Sequence, residues 1–391
     1  MYSSSREGDF CSAHPVTSAQ YACQHELFKD LSKQKSPTKF LTMREAAQEL
    51  LLTDLSYSGE VTTTVRPYDR GLLSIPSTGN QAVDLRGVLD DVGRETIEDP
   101  LRCMLLSDDE FGSMVEKQQP ICTYMDPTLR DSLPTYCTFI QDLFLCGMVE
   151  FTNRPSGLVT PFCVAKKSGK LRLILDCRDT NRRFRPPPTL AAGTGASWAR
   201  LSIPEGRELF VAQSDIKDYF YSLQLPESLR SLFCMPPIPA SLLRHWGVSA
   251  EHGGSLVYDG WAHPRLRVVP MGWSWAMWLS QRVHQVQSQI GAGISQDRVL
   301  VDGKPAPDLS DGQVLLLPYA DNLNVAGVDQ RRVQMAKDGA VKRLREVGLL
   351  VHEEMDACTV AHLWVIALMG WLARSGRLQT DYIQCSWPSS G

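Results

Sequence analysis

Asp215 and Asp321 are the side chains with the most chemistry to offer. Asp215 follows a short apolar strand signal, Leu209 to Ala212, that runs into Gln213-Ser214-Asp215-Ile216-Lys217-Asp218-Tyr219-Phe220-Tyr221. Asp321 lies between two further strand signals, Val314 to Tyr319 and Leu323 to Ala326, joined across Ala320-Asp321-Asn322. An aspartate at a turn is ordinary surface chemistry. Both of these, however, follow strands that read as buried, where an unpartnered carboxylate is costly to keep ionised. On adjacent strands the two would make an oxygen-rich magnesium site. Two magnesium ions about 4 Å apart activate a primer 3′-hydroxyl and stabilise a leaving pyrophosphate in an in-line phosphoryl transfer.

A basic segment is the second chemical signal. Val164, Leu171, Leu173 and Leu175 alternate around Lys166, Lys167, Ser168, Gly169, Lys170 and Arg172, which predicts a hairpin with a basic tip. From Arg154 to Arg185 nine cations face only Asp176 and Asp179, an excess that suggests a polyanionic partner in a chain whose net charge is −4.

The elements that must position these groups are partly legible. Tyr136, Phe139, Ile140, Leu143 and Phe144 recur at helical spacing after Pro134, with Gly147 as a left-handed stop. Asp and Asn tolerate positive φ, so Asp321 and Asn322 are expected at the tip of a tight hairpin. Asp329 is expected to cap a helix whose apolar face is Val333, Ala336, Ala340, Leu344 and Val347, ended by Gly348. Thr42 and Glu45 resemble a capping box. Strand, helix, hairpin and helix together argue an α+β layer.

In order along roughly residues 128 to 375, the chain resembles the reverse transcriptases of retroelements and retroviruses. The segment from Asp215 to Pro226 looks like that family's first palm motif, and Pro270-Met271-Gly272-Trp273-Ser274-Trp275-Ala276 is similar to its second. Tyr319-Ala320-Asp321-Asn322 resembles its Tyr-x-Asp-Asp box, and Leu368-Met369-Gly370-Trp371 its primer-grip hairpin. Lys166-Lys167 and the run from Arg172 to Asn181 match the fingers segment that touches the incoming triphosphate. The resemblance implies a right-hand polymerase with fingers and a ferredoxin-like antiparallel palm sheet. It implies RNA-directed DNA polymerisation within a mobile element, using two Mg2+ ions or Mn2+ in their place, on an RNA or DNA template-primer with deoxynucleoside triphosphates. Asp215, Asp321 and the Ile216 carbonyl would hold the metals. Arg172 and Lys166 or Lys167 would neutralise the β and γ phosphates, while Asp218, Tyr219, Phe220, Met271 and Gly272 would line the nucleotide pocket. Phe220 would exclude a ribose 2′-hydroxyl, and Met369, Gly370 and Trp371 would form the primer grip.

Three departures stand beside the matches. Asn322 replaces the second aspartate of the box. Met271 stands where retroviral members carry Gln, and the segment Gly348 to Glu354 offers His352 where a lysine that protonates pyrophosphate is expected. Few residues follow Trp371, so a thumb is expected to be missing. The rival expectation is a catalytically degenerate descendant that binds nucleic acid or is inert.

At 391 residues with 43% apolar and 21% charged residues, the chain has room for more than one folded domain. The expected organisation is an N-terminal extension over 1–100, a reverse-transcriptase-like domain over 101–378 and a tail over 379–391. The eleven cysteines are scattered, with no disulfide framework, and Cys11, His14, Cys23 and His25 match structural zinc spacings poorly. No secretory signal is visible, and the longest apolar run, His362 to Ala373, is too short for a bilayer. An intracellular soluble protein, nuclear or cytoplasmic, is the expectation.

Overall fold

Ser132 caps the first long helix, α1 (Leu133–Leu145), by accepting the Thr135 amide, and Pro134 sits in the first turn, where a missing amide costs nothing. Its buried stripe is Tyr136, Phe139, Ile140 and Leu143, and Gly147, at φ 74°, follows its end. The computed structural model describes residues 65–359 except 80, 118–120, 167, 194, 199 and 249–259. The expected capping box at Thr42, the four N-terminal zinc-type residues, Lys167, the apolar run after His362 and the Met369-Gly370-Trp371 hairpin lie outside the described residues.

The basic hairpin forms as the alternation predicts. Strands β1 (Thr160–Ala165) and β2 (Leu171–Asp176) pair antiparallel. Their turn closes through Lys166 N to Lys170 O at 2.7 Å, with Gly169 at φ 77°. Leu171, Leu173 and Leu175 point into the core. Two short strands from the preceding chain widen this sheet: Val65–Arg66 pairs antiparallel with β1, and Leu73–Ser74 pairs parallel with β2. Further residues of the 1–100 segment are core residues, since Leu85, Val88, Leu89 and Ile97 are all buried.

A second sheet contains β3 (Phe210–Ile216), β4 (Leu315–Tyr319), β5 (Asn322–Gly327) and β6 (Val351–Thr359). Helix α2 (Ala276–Ala292) lies between β3 and β4 in sequence, and α3 (Gln330–Glu346) between β5 and β6. The spatial order is β4-β5-β3-β6 with every neighbour antiparallel, the split β-α-β-β-α-β arrangement. One face packs Ala212, Leu316, Leu323 and Val325 against Val333, Ala336 and Ala340 of α3. The opposite face carries Val211, Leu315, Leu317 and Ala326. The two helices cross closely, because a Cβ on Gly339 would stand 2.3 Å from the Gly291 carbonyl oxygen. The described chain is thus α+β.

Two details differ from the sequence reading. Strand β3 does not stop at Ala212 but continues to Ile216, carrying Gln213, Ser214 and Asp215 into the ladder. The β4–β5 turn is tighter than expected: Ala320 takes the positive φ of 51°, and Asn322 already belongs to β5, opposite Asp215. A short turn leaves Asn322 nowhere to go but the ladder.

Candidate active site

The two aspartates meet at one end of the second sheet. Strands β3 and β5 pair with Asn322 opposite Asp215, and the Ile216 amide donates to the Asp321 carbonyl at 2.9 Å. From the other side, β6 brings His352, whose Nε2 lies 2.8 Å from Asp215 Oδ1. Asn322 Nδ2 donates to Asp321 Oδ1 at 3.0 Å. Burial, followed by the charge of Asp321, pushes the Asp215 carboxyl up to about 6, against the opposing pull of His352. Burial also holds Asp321 above the ordinary carboxylate range, with Arg172 pulling the other way. These are carboxylates short of counter-charge.

The turns that present them are fixed from beneath. Ala320 holds a left-handed conformation that costs an alanine about 1–2 kcal/mol. Its amide donates to Gln281 Oε1 at 3.0 Å, and its carbonyl accepts from His284 Nδ1 at 2.7 Å. Gln281 Nε2 also donates to the Pro318 carbonyl at 2.7 Å. Asp218 is the other non-glycine residue with positive φ, at 51°, among the described residues. It precedes the tight turn Tyr219–Ser222 and caps it through its carbonyl, which accepts the Ser222 amide at 3.0 Å, and not through its side chain. Tyr219 Oη donates to the Ser280 carbonyl at 2.6 Å and Tyr221 Oη to the Leu173 carbonyl at 2.8 Å. Phe220, between them, is buried.

The basic hairpin approaches the same place. Lys166 Nζ donates to Ser74 Oγ at 2.8 Å. Burial and then Arg172 hold its ammonium below the usual lysine range, while Asp218 and Asp321 pull it back up. Lys166 and Arg172 therefore both lie within electrostatic reach of Asp321. Other cations of the basic run are engaged elsewhere: Arg178 with Asp176 at 2.7 Å, Arg182 with Asp179 at 3.6 Å and Arg185 with Glu110 at 2.8 Å. Arg183 lies over the Phe111 ring.

Gly272 sits at φ 120°, and a Cβ there would stand 2.1 Å from the Leu175 carbonyl oxygen, so the contact that demands glycine is with β2 of this chain. Leu175 N donates to the Met271 carbonyl at 2.9 Å, and Asn181 bridges the Gly272 carbonyl and the Ser274 amide. Met271 is half-buried against the core. Asp215, Asp218, Asp321, Lys166 and Arg172 are thus brought together, and Phe220 is buried in the turn that follows Asp218.

Sequence reasoning missed Gln281, His284 and Ser74. The first two had a signal: Gln281, His284, Gln285 and Ser288 recur at i, i+3, i+4 and i+7 and are all buried, a polar row at core spacing that needs partners. Ser74 had none.

Over 126 residues, 32% of its length, the chain is 27% identical to the Gag-Pro-Pol polyprotein of mouse mammary tumor virus (strain BR6). The match spans 7% of that polyprotein. No family model matches the chain. The sequence is therefore similar to a stretch of a retroviral polyprotein. Among the described residues, no helix is long and apolar enough to cross a membrane.

Proposed function

We propose that this chain is a reverse-transcriptase-like polymerase that adds deoxynucleotides to a primer 3′-hydroxyl on an RNA template, and that it derives from a mobile element. In this reading β3 to β6 with α2 and α3 are the palm, and the β1–β2 hairpin belongs to the fingers. The observation that carries it is that Asp215 on β3 and Asp321, in the turn just before β5, come together at one end of the sheet, where burial raises both carboxyls. Carboxylates perturbed by burial beside specific charged partners mark a functional-site candidate. The similarity to a retroviral polyprotein supports the same reading.

The residues fit a divalent cation. The donors are oxygens, as Mg2+ prefers, and a cation would supply the counter-charge that the raised carboxyls lack. Asp215, Asp321 and the Ile216 carbonyl would hold it. When bound, magnesium supplies Lewis acidity to the attacking hydroxyl and the leaving pyrophosphate. Lys166 and Arg172 set positive charge where the terminal phosphates develop theirs, Arg172 with a planar fork and Lys166 as a point charge. Phe220 bounds the sugar side of the pocket. Template-primer and deoxynucleoside triphosphates are the partners.

The test is primer extension on an RNA template. Asp215→Asn and Asp321→Asn should each lower kcat/KM by roughly a thousandfold or more, since each removes a charged ligand that no neighbour replaces. Equal extension by wild type and Asp321→Asn would sink the metal assignment. The second reading, a degenerate nucleic-acid-binding descendant, is favoured by the Asn322 amide on Asp321 Oδ1. A wild type that binds template-primer but extends none of several would select it.

A further inference from the structure

Among the described residues before residue 100, Ser74 reaches the candidate site. Ser74 is the register partner of Arg172 in the parallel pairing of Leu73–Ser74 with β2, and Leu171 N donates to the Leu72 carbonyl at 2.8 Å to hold that pairing. Register partners on parallel strands present their side chains on one face, and Val164 on β1 is opposite Arg172 on the same face. Lys166 lies two residues beyond Val164, at the end of the hairpin. Its ammonium reaches back to Ser74 Oγ at 2.8 Å.

A lysine head sits on four rotatable bonds and is costly to hold still. Here it is half-buried beside a second cation, Arg172, which repels it, while Asp218 and Asp321 attract it. Left to these forces the ammonium would swing toward the carboxylates and cancel charge there. The Ser74 hydroxyl restrains it on the Arg172 side. A hydroxyl that accepts from the ammonium retains a proton of its own, and the ammonium retains two more. The group therefore presents several donors to one anion.

We propose that Ser74 is a positioning residue: its Oγ holds the Lys166 ammonium next to Arg172, so that the two cations and the hydroxyl together form the seat for the terminal phosphates of a nucleoside triphosphate. This rests on the polymerase reading and deepens it, giving the segment before the hairpin a part in substrate binding.

The experiment is equilibrium binding of a non-hydrolysable deoxynucleoside triphosphate to the full chain with Mg2+, for wild type, Ser74→Ala, Ser74→Thr, Lys166→Ala and the Ser74→Ala/Lys166→Ala double variant, each checked for folding by circular dichroism. Ser74→Ala should weaken binding about five- to tenfold, and Ser74→Thr should restore it. In the Lys166→Ala background the same change should have little further effect, since the hydroxyl acts through that ammonium. A nucleoside diphosphate and monophosphate series should show the Ser74→Ala penalty shrinking as terminal phosphates are removed. Wild-type binding that Ser74→Ala leaves unchanged, or a penalty of the same size without Lys166, overturns the positioning role while the polymerase reading stands. A folded wild type that binds no nucleotide at all overturns the polymerase reading and this proposal with it.

Discussion

Phe220 is 8% exposed and belongs to the main core with Tyr219, Leu223 and Trp278, yet it lies in the turn that follows Asp215. The two demands on it can be separated by choice of substitution. Removing the ring entirely, as in Phe220→Ala, costs about 3–5 kcal/mol for a buried aromatic and would confound any assay of selectivity. On the polymerase reading, Phe220→Leu keeps most of the packing while opening space where the nucleotide sugar would lie. The expected outcome is a several-fold rise in the ratio of kcat/KM for ribonucleotides over deoxyribonucleotides, with deoxynucleotide use less affected. An active Leu variant with an unchanged ratio would leave Phe220 a packing residue alone.

At the scale of elements, α2 is the support on which the β4–β5 turn rests. His284 is fully buried, and because its Nδ1 faces the Ala320 carbonyl, that nitrogen must carry the ring proton. Burial pushes the imidazole down from 6.5 to about 4. The unfolded ring takes up its proton near 6.5 and the folded ring only near 4, so this contribution to stability is whole above 6.5 and drains as pH falls toward 4. Its size is about 3 kcal/mol. Urea midpoints at pH 7 and pH 4.5 should show a smaller gap for His284→Gln than for wild type, and the Gln variant should be less stable at pH 7. This support was invisible to apolar periodicity, because the buried face of α2 is itself partly polar. By contrast α1 and α3 were legible, each with an apolar stripe at 3.6 spacing; Asp329 caps α3 as expected, while the Ser132 cap of α1 is seen only in the structure. Strand β3 was half legible: its first residues are apolar, but from Gln213 its partly exposed positions alternate with buried ones and the run breaks up.

For the whole molecule, the neighbourhood of Asp215 and Asp321 could not be read from local pattern, since pairing between strands so distant in sequence leaves no periodic trace. It followed from motif order and is carried in the structure by the β3–β5 register. Charge shows the same limit. The basic run counted from the sequence includes Arg178, Arg182 and Arg185, each held by a carboxylate of the fold, so fewer cations than the count suggests are available to a polyanion. Salt dependence measures that difference. Each phosphate contact contributes about −0.9 to the slope of log affinity against log salt, and a slope near −3 is expected for template-primer. Neutralising Lys166, Lys167, Lys170 and Arg172 together should flatten most of it, as read by a salt titration of both proteins. A steep slope surviving those changes would place the contact on another surface.

Hairpin tips ordinarily open first, and their amide protons are traded with solvent on the fastest timescale in a protein. The Ala320 amide is at such a tip, yet it donates into the buried Gln281 side chain. Its proton can leave only when α2 and the β4–β5 turn part company. In deuterium exchange it should persist with the central strand amides of β3, while the Gly169 amide, at the tip of the basic hairpin, is lost early. A fast Ala320 would mean that the carboxylate-bearing turn breathes independently of the helix beneath it.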